Sequence, residues 1–187
     1  GIIGPDNTPI NNPATLTTQI NASGCHTLQP STTTVDFLAV AAGGGGGGNY
    51  GGGGGAGGVL KSFCNPSLAA IPVCGGATVP VTINGGGAGG PTNANGVNGG
   101  TTVFTLGGTP YTATGGGFGG GNAGNGENGG SGGGPGGIGN TPPIAAAAGG
   151  PQGSSAATPG TSNNAGGGFS QAGIGNDGGD GFTITLD

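Results

Sequence analysis

Residues 35–59 read VDFLAVAAGGGGGGNYGGGGGAGGV, an apolar segment that runs without a break into two polyglycine runs. Val35 and Phe37 alternate with Leu38 and Val40 in a two-residue period, which is typical of a β-strand. Because both faces of this strand are largely apolar, we expect residues 34–42 to be central and buried. The strand continues into glycine without a conventional turn, so its backbone must pass directly from a sheet into a glycine-rich structure.

The remaining sequence predicts further short strands separated by glycine-rich stretches. The strand candidates are residues 15–20, 79–84, 101–106, 110–114 and 181–186. Glycine and proline, at 56 and 14 of 187 residues, interrupt every window of helical length. The sequence therefore predicts an all-β protein without α-helix. Prolines at positions 5, 9, 13 and 30 set residues 1–32 apart as an extended N-terminal arm, and residues 33–187 form the glycine-rich domain.

The glycine stretches need a structure that satisfies their backbone polar groups. Consecutive glycines exclude collagen, which requires glycine at every third position. The chain has only one basic and six acidic residues, so charge repulsion does not keep it open. Extended threefold helices of the polyglycine II type present every N–H and C=O sideways, and without Cβ atoms they can approach and bond to one another. We therefore predict short β-strands that frame a polyglycine II bundle.

The composition excludes several functions. A chain with Lys61 as its only basic residue cannot bind nucleic acid through phosphate contacts. It has no apolar run of the roughly 18 residues that span a bilayer, so we expect no membrane insertion. His26 is the only histidine, so the sequence predicts neither a metal site nor a catalytic relay, and we expect a non-enzymatic protein without cofactor. Asp177 and Asp180 are a weak calcium candidate, and a turn before the last strand is the stronger interpretation.

The cysteines are Cys25, Cys64 and Cys74, so one internal bridge at most can form. Cys64 and Cys74 flank a proline-containing loop, and a disulfide between them would close it. The alternative is three buried free thiols, and Cys25 is either such a thiol or a link between subunits. The chain contains no Met, as expected of a mature form that has lost its leader. We expect an extracellular, cell-surface or virion-surface location.

The N-terminal arm carries apolar residues among proline and asparagine, which cannot form a core of their own. These residues are Ile2, Ile3, Ile10, Leu16 and Ile20. Such an arm can add as a strand to the sheet of a neighbouring subunit, and a head-to-tail contact of this kind propagates into a filament. We predict that residues 1–20 contact another subunit and that their deletion releases soluble monomers.

Several segments in order resemble the glycine-rich domain of phage tail-fibre and appendage proteins and of microbial surface proteins. They are VDFLAVAAGGGGGGNYGGGGGAGGV, VPVTINGGGAGG, NGGTTVFTLGG, YTATGGGFGGG, GGSGGGPGG and GNDGGDGFTITLD. The resemblance implies a β framework with a polyglycine II bundle and a structural or adhesive role.

We therefore expect a structural subunit of an extracellular or virion fibre that assembles with copies of itself. The alternative is a receptor-binding adhesin at a phage tail-fibre tip, whose partner is a cell-surface glycan or another receptor. An ice-binding protein is a third, weaker hypothesis, because the chain has no regular Thr-x-Thr array.

Overall fold

The structure is a computed structural model that describes residues 15–63 and 70–137 and two short strands nearer the C-terminus. Its described residues contain strands and turns but no helix, which confirms the all-β class. The strands are β1 Gly24–Thr27, β2 Thr34–Val35, β3 Leu38–Val40, β4 Val59–Lys61, β5 Ile71–Pro72, β6 Thr78–Ile83, β7 Thr102–Leu106, β8 Thr109–Ala113, β9 Ser170–Gln171 and β10 Ile174–Gly175.

The largest element is an antiparallel sheet with the strand order β1-β6-β7-β8. Its β7–β8 hairpin turns at Gly107 and Gly108, whose φ angles are +54° and +78°. A two-residue turn with positive φ at both positions matches the right-handed twist of the flanking strands, and glycine adopts it without a Cβ penalty. Residues in β7 alternate between buried and half-buried, as expected of a strand with one face on the core.

The hairpin β3–β4 lies over the inward face of this sheet and closes the core. Ala39 and Ala41 contribute small side chains to the core. The sheet contributes the larger ones, which are Val79, Val81, Phe104, Leu106 and Ala113. Three aromatic rings extend the core at one side, since the Phe37 centroid lies 4.8 Å from that of Phe104 and 5.0 Å from that of Tyr111. Such edge and tilted contacts are the geometries that aromatic pairs prefer.

A buried serine fixes the open end of the β3–β4 hairpin. Ser62, only 1% exposed, accepts a hydrogen bond from the Phe37 backbone N–H (2.9 Å) through its hydroxyl oxygen. The same hydroxyl donates to Asp36 Oδ1 (2.8 Å), so this buried polar group is satisfied on both sides. The hydroxyl therefore ties the chain before β3 to the chain after β4.

Residues 34–42 differ from their prediction as one central strand buried on both faces. They form two short strands, β2 and β3, which pair with β5 and β4 in separate two-stranded ribbons. Only one face is buried, because Leu38 and Val40 are 41% and 55% exposed. The prediction was wrong because β3 lies in the outer layer of the framework, where its second face meets no other element among the described residues.

The other strand predictions had mixed outcomes. Residues 79–84, 101–106 and 110–114 correspond to β6, β7 and β8 with shifts of one residue at their ends. Residues 15–20 form no strand; their side chains are exposed except for Ile20, and no neighbouring strand offers them a ladder. The candidate at 181–186 lies outside the described residues.

Candidate functional site

The strands of the framework continue directly into glycine-rich segments that lie side by side. We label these segments GR1 to GR7 in chain order. They span residues 41–48, 51–58, 85–91, 94–100, 114–121, 123–130 and 131–137. β3 leads into GR1 and GR2 returns into β4, while β6 leads into GR3 and GR4 returns into β7. The sheet and the hairpin thus set the spacing at which these segments leave the core.

Backbone hydrogen bonds between the segments recur at every third residue. In GR1, the N–H groups of residues 41, 44 and 47 donate to GR2 carbonyls at residues 58, 55 and 52. The next positions, residues 42, 45 and 48, donate to GR4 carbonyls at residues 100, 97 and 94. A period of three differs from the two-residue period of a strand, and it directs successive residues of one segment to different neighbours.

GR5 occupies the centre of the bundle. Its N–H groups at residues 116 and 119 donate to GR1, and those at residues 117 and 120 donate to GR7. Its carbonyls accept from GR2, GR4 and GR6, with donor–acceptor distances between 2.7 and 3.0 Å. Backbone groups of GR5 are therefore satisfied by surrounding segments rather than by its own turn, as buried backbone requires.

Close approach of the segments makes glycine compulsory at the positions where one backbone faces another. A Cβ built on Gly44 would lie 2.2 Å from the Gly117 carbonyl oxygen, and one on Gly47 would lie 2.0 Å from the Gly120 carbonyl oxygen. Real Cβ atoms do not approach backbone atoms so closely. The repeated glycines thus serve backbone-to-backbone packing, as the sequence predicts.

Two asparagines complete the hydrogen bonding of GR5 on its outward side. Asn98 Oδ1 accepts from the Phe118 backbone N–H, and Asn95 Oδ1 accepts from the Gly121 backbone N–H, both at 2.8 Å. The two asparagines are three residues apart on GR4, and the backbone N–H donors that they accept from are three residues apart on GR5. Side-chain carboxamides therefore take the place of a missing neighbouring segment along this row.

One end of the bundle, which we call the tip, collects the turns between segments. GR1, GR3, GR5 and GR7 run in one direction and GR2, GR4 and GR6 in the other, so the turns after GR1, GR3 and GR5 lie at the same end. These turns contain non-glycine residues with positive φ: Asn49, Tyr50, Asn93 and Ala123. The Asn49 side chain donates a hydrogen bond to Asn93 Oδ1, and Tyr50 is 42% exposed. The tip thus presents polar carboxamides beside one aromatic ring.

The arm residues expected at a subunit contact are only partly described. Leu16 is 65% exposed, which leaves its side chain available for a contact with another chain. Ile20 instead packs against the core of its own chain, so its position gives no support to the predicted subunit contact. Ile2, Ile3 and Ile10 lie outside the described residues.

The cysteines and the other candidate site residues form no common centre. Cys25 and Cys74 are exposed free thiols in the structure, and Cys64 lies outside the described residues, so the Cys64–Cys74 bridge stays a prediction. His26 follows Cys25 on β1, where adjacent side chains point to opposite faces; its Nε2 is buried without a hydrogen-bond partner among the described residues. Asp177 and Asp180 also lie outside the described residues.

The described part of the chain holds no cluster of three or more His, Cys, Asp or Glu side chains that could bind a metal ion. Within the same residues there is also no helix long and apolar enough to cross a bilayer.

This architecture defines a class of β-protein whose strands frame a bundle of hydrogen-bonded glycine segments. The chain matches the family model of the glycine-rich domain over residues 18–186, and it belongs to that family. The match covers the framework strands and the whole described bundle. Searches among curated proteins and among solved structures found no match.

Proposed function

We propose that the chain is a non-enzymatic structural subunit of an extracellular or virion fibre. The observation that carries this proposal is the three-residue hydrogen-bond period of the bundle. It orders about half of the described chain through backbone bonds, with few large side chains and almost no charge. Such a body is suited to mechanical and spacing roles rather than to chemistry, because its interior is mostly glycine backbone.

The glycine segments are, in this proposal, threefold helices of the polyglycine II type. The recurrence at every third residue supports it, since three residues per turn is the period of that helix. The segment glycines also avoid the positive φ region, which among the described glycines occurs only at residues 76, 107 and 108. A crystal structure with φ near −75° and ψ near +145° along GR1 and GR5 would be the direct measurement.

Assembly of the fibre is proposed to use the N-terminal arm as a strand added to a neighbouring subunit. The exposed Leu16 supports this step, because an apolar side chain in an otherwise polar extended segment gains by burial against a partner. Electron microscopy of the purified full-length chain tests the proposal. We expect filaments from the wild type and soluble particles after deletion of residues 1–20.

A matched pair of substitutions separates the arm contact from a general effect on folding. Leu16→Ser should weaken filament formation, whereas Thr17→Ser, at the next and also exposed position, should leave it unchanged. Filaments of normal length from the truncated chain would show that the arm does not join the subunits. Absence of filaments from the wild type at any concentration would contradict the structural role itself.

A receptor-binding adhesin of the phage tail-fibre type is the second candidate function, and the tip favours it. Asn49, Tyr50 and Asn93 place carboxamides and one ring at the end of a rigid bundle. Aromatic rings stack on the apolar faces of sugars, and carboxamides can bond to sugar hydroxyls. Binding of the purified chain to immobilised cell-surface glycans, lost in Tyr50→Ala and retained in Tyr111→Phe, would support this function over the purely structural one.

A further inference from the structure

The outward side of GR1 and GR3 carries backbone groups that have no partner among the described residues. In GR1, two of every three N–H groups donate to GR2 and GR4, but those of Gly43 and Gly46 donate to no described atom. In GR3, both the N–H and the carbonyl of Gly86 and Gly89 are equally without a partner. Gly43, Gly86 and Gly89 are exposed, and Gly46 is half-buried. This surface therefore presents donors and acceptors in the same three-residue register that joins segments inside the bundle.

Packing within the chain does not require glycine at these positions. The nearest atom to a Cβ built on Gly43 would be 3.5 Å away, and on Gly46 it would be 3.4 Å away. The corresponding distances at Gly86 and Gly89 are 3.7 and 3.8 Å. These are ordinary contact distances, in contrast to the 2.2 Å at the adjacent Gly44. Glycine here leaves the surface flat and its backbone groups uncovered.

The opposite side of the bundle is closed by side chains. There Asn95 and Asn98 occupy the outward N–H groups of GR5 with their Oδ1 atoms. No side chain of the described residues accepts a hydrogen bond from the N–H of Gly43 or Gly46. The outward N–H groups of GR5 therefore have side-chain acceptors within the chain, whereas the outward N–H groups of GR1 have none among the described residues.

The open row also continues into an exposed apolar surface. Leu38 and Val40 lie on the outward side of the β3–β4 hairpin, opposite the core-facing Ala39, and β3 leads straight into GR1. Lys61, the cross-strand partner of Leu38, borders this apolar patch, whereas the glycine rows of GR1 and GR3 carry no charge. A partner must therefore supply backbone donors and acceptors without side chains, together with a small apolar patch.

We infer that this surface, made of Leu38, Val40, Gly43, Gly46, Gly86 and Gly89, docks onto the same surface of a second copy of the chain. We call it the open face. Because it carries both donors and acceptors, two copies related by a twofold axis can bond to each other, as in an isologous dimer. The glycine-rich sequence after residue 137 is a less suitable occupant, since GR7 bonds to GR2, GR5 and GR6 and not to GR3. The inference deepens the proposed structural function, because it adds a lateral contact to the head-to-tail contact of the arm.

The test uses the full-length chain and two double variants. Gly43→Gln with Gly46→Gln places bulky neutral side chains on the open face, where a Cβ has room within the monomer. Gly85→Gln with Ala88→Gln is the matched control, because a Cβ at Gly85 meets nothing within 4 Å and Ala88 already carries one in the same row. Circular dichroism before and during heating shows whether each variant keeps the wild-type fold.

Sedimentation velocity over a concentration series measures the lateral contact. At concentrations below those at which filaments form, we expect the wild type and the control to form dimers as concentration rises. The dimer dissociation constant of the open-face variant should be about tenfold higher or more, which is about 1.4 kcal/mol. In electron micrographs, wild-type filaments should be paired and those of the open-face variant single. Deletion of residues 1–20 should then yield a dimer. If the arm were the only contact between subunits, the same deletion would yield a monomer.

Three results would overturn the inference. The first is a wild type that neither dimerises nor forms paired filaments, and the second is an open-face variant that associates as the wild type does. The third is a monomeric wild type that inhibits ice recrystallisation and loses this activity only in the open-face variant, because the occupant would then be ice. Single filaments from both wild type and variant would refute the lateral contact while leaving the proposed fibre subunit intact.

Discussion

Alanine at two adjacent glycines should have opposite consequences for stability. A Cβ on Gly44 would lie 2.2 Å from the Gly117 carbonyl oxygen, 2.6 Å from its carbon and 2.9 Å from the Gly116 carbonyl oxygen. These atoms belong to the central segment GR5, which other segments hold from several sides. A Cβ on Gly43 would have one neighbour within 4 Å, the Gly55 carbonyl oxygen at 3.5 Å. The two substitutions therefore insert the same methyl group into very different surroundings.

Relief of the Gly44→Ala clash requires GR1 and GR5 to separate by about 1 Å, since carbon–oxygen contacts normally exceed about 3.2 Å. Overpacking of this kind costs about 1–3 kcal/mol. The shift also lengthens hydrogen bonds that join GR1 and GR5, such as Gly116 N–H to the Ala42 carbonyl and Gly119 N–H to the Gly45 carbonyl. Each contributes about 0.5–1.5 kcal/mol. We expect Gly44→Ala to lower the free energy of unfolding by about 3–5 kcal/mol in total, a large part of the 5–15 kcal/mol that is typical of a folded domain.

Gly43→Ala should be neutral or stabilising by about 0.4–1 kcal/mol. Its φ lies outside the left-handed region, so alanine can adopt the conformation, and the substitution restricts the unfolded chain. Urea unfolding followed by circular dichroism, at a protein concentration low enough to exclude association, measures both values. If Gly44→Ala cost less than 1 kcal/mol, or if both variants lost equal stability, the segments would not be packed as closely as described.

Three further substitutions test single contacts of the framework and the bundle. Ser62→Ala should cost about 1–3 kcal/mol in urea unfolding, because it removes the buried hydroxyl that accepts from the Phe37 N–H. Ser31→Ala, at an exposed position, is the control, and an equal effect of the two substitutions would contradict this role. Asn95→Ala should cost about 1–2 kcal/mol and Asn98→Ala less, because the bond to Gly121 is partly buried and that to Phe118 is exposed; the reverse order of the two costs would refute the assignment.

The strands that sequence analysis located correctly are those whose residues alternate clearly. β6, β7 and β8 carry β-branched and aromatic residues in a two-residue period, and β7 and β8 are joined by a Gly-Gly turn. Sequence analysis missed strands β1 and β5 because the glycine in β1 and the short length of β5 weaken the alternating pattern that predicts a strand. β1 begins with glycine, and β5 is the two-residue strand Ile71–Pro72. Both depend on a partner distant in sequence, which local propensity does not reveal.

The error at residues 34–42 has a different origin. Apolar residues on both faces of a strand predict burial on both faces only if the strand is central. β3 is an outer strand, so Leu38 and Val40 remain exposed despite their chemistry. Sequence alone could not distinguish a buried second face from one kept apolar for contact with another molecule.

The three-residue period of the bundle was expected from the glycine content, but the sequence did not predict which glycine segments lie side by side. A glycine segment carries no side chains that specify which segment lies beside it, so its position must come from the elements at its ends. In this chain β3, β4, β6, β7 and β8 supply that information, since each is continuous with a segment. The few side chains within the bundle, such as Asn95 and Asn98, then satisfy backbone groups that no segment covers.

The arrangement of strands that position the segments and glycine segments that form the bundle also determines where the protein can interact. The interior of the bundle consists mainly of backbone bonds, and at Gly44 or Gly47 it does not admit even a methyl group. Recognition must therefore occur at the tip, on the arm or on an outward row of backbone groups. The tip has exposed side chains, and the arm has Leu16. Along its glycine rows the open face has neither bulky side chains nor charge, and a second glycine surface is the partner that can approach these rows closely enough to use their donors and acceptors.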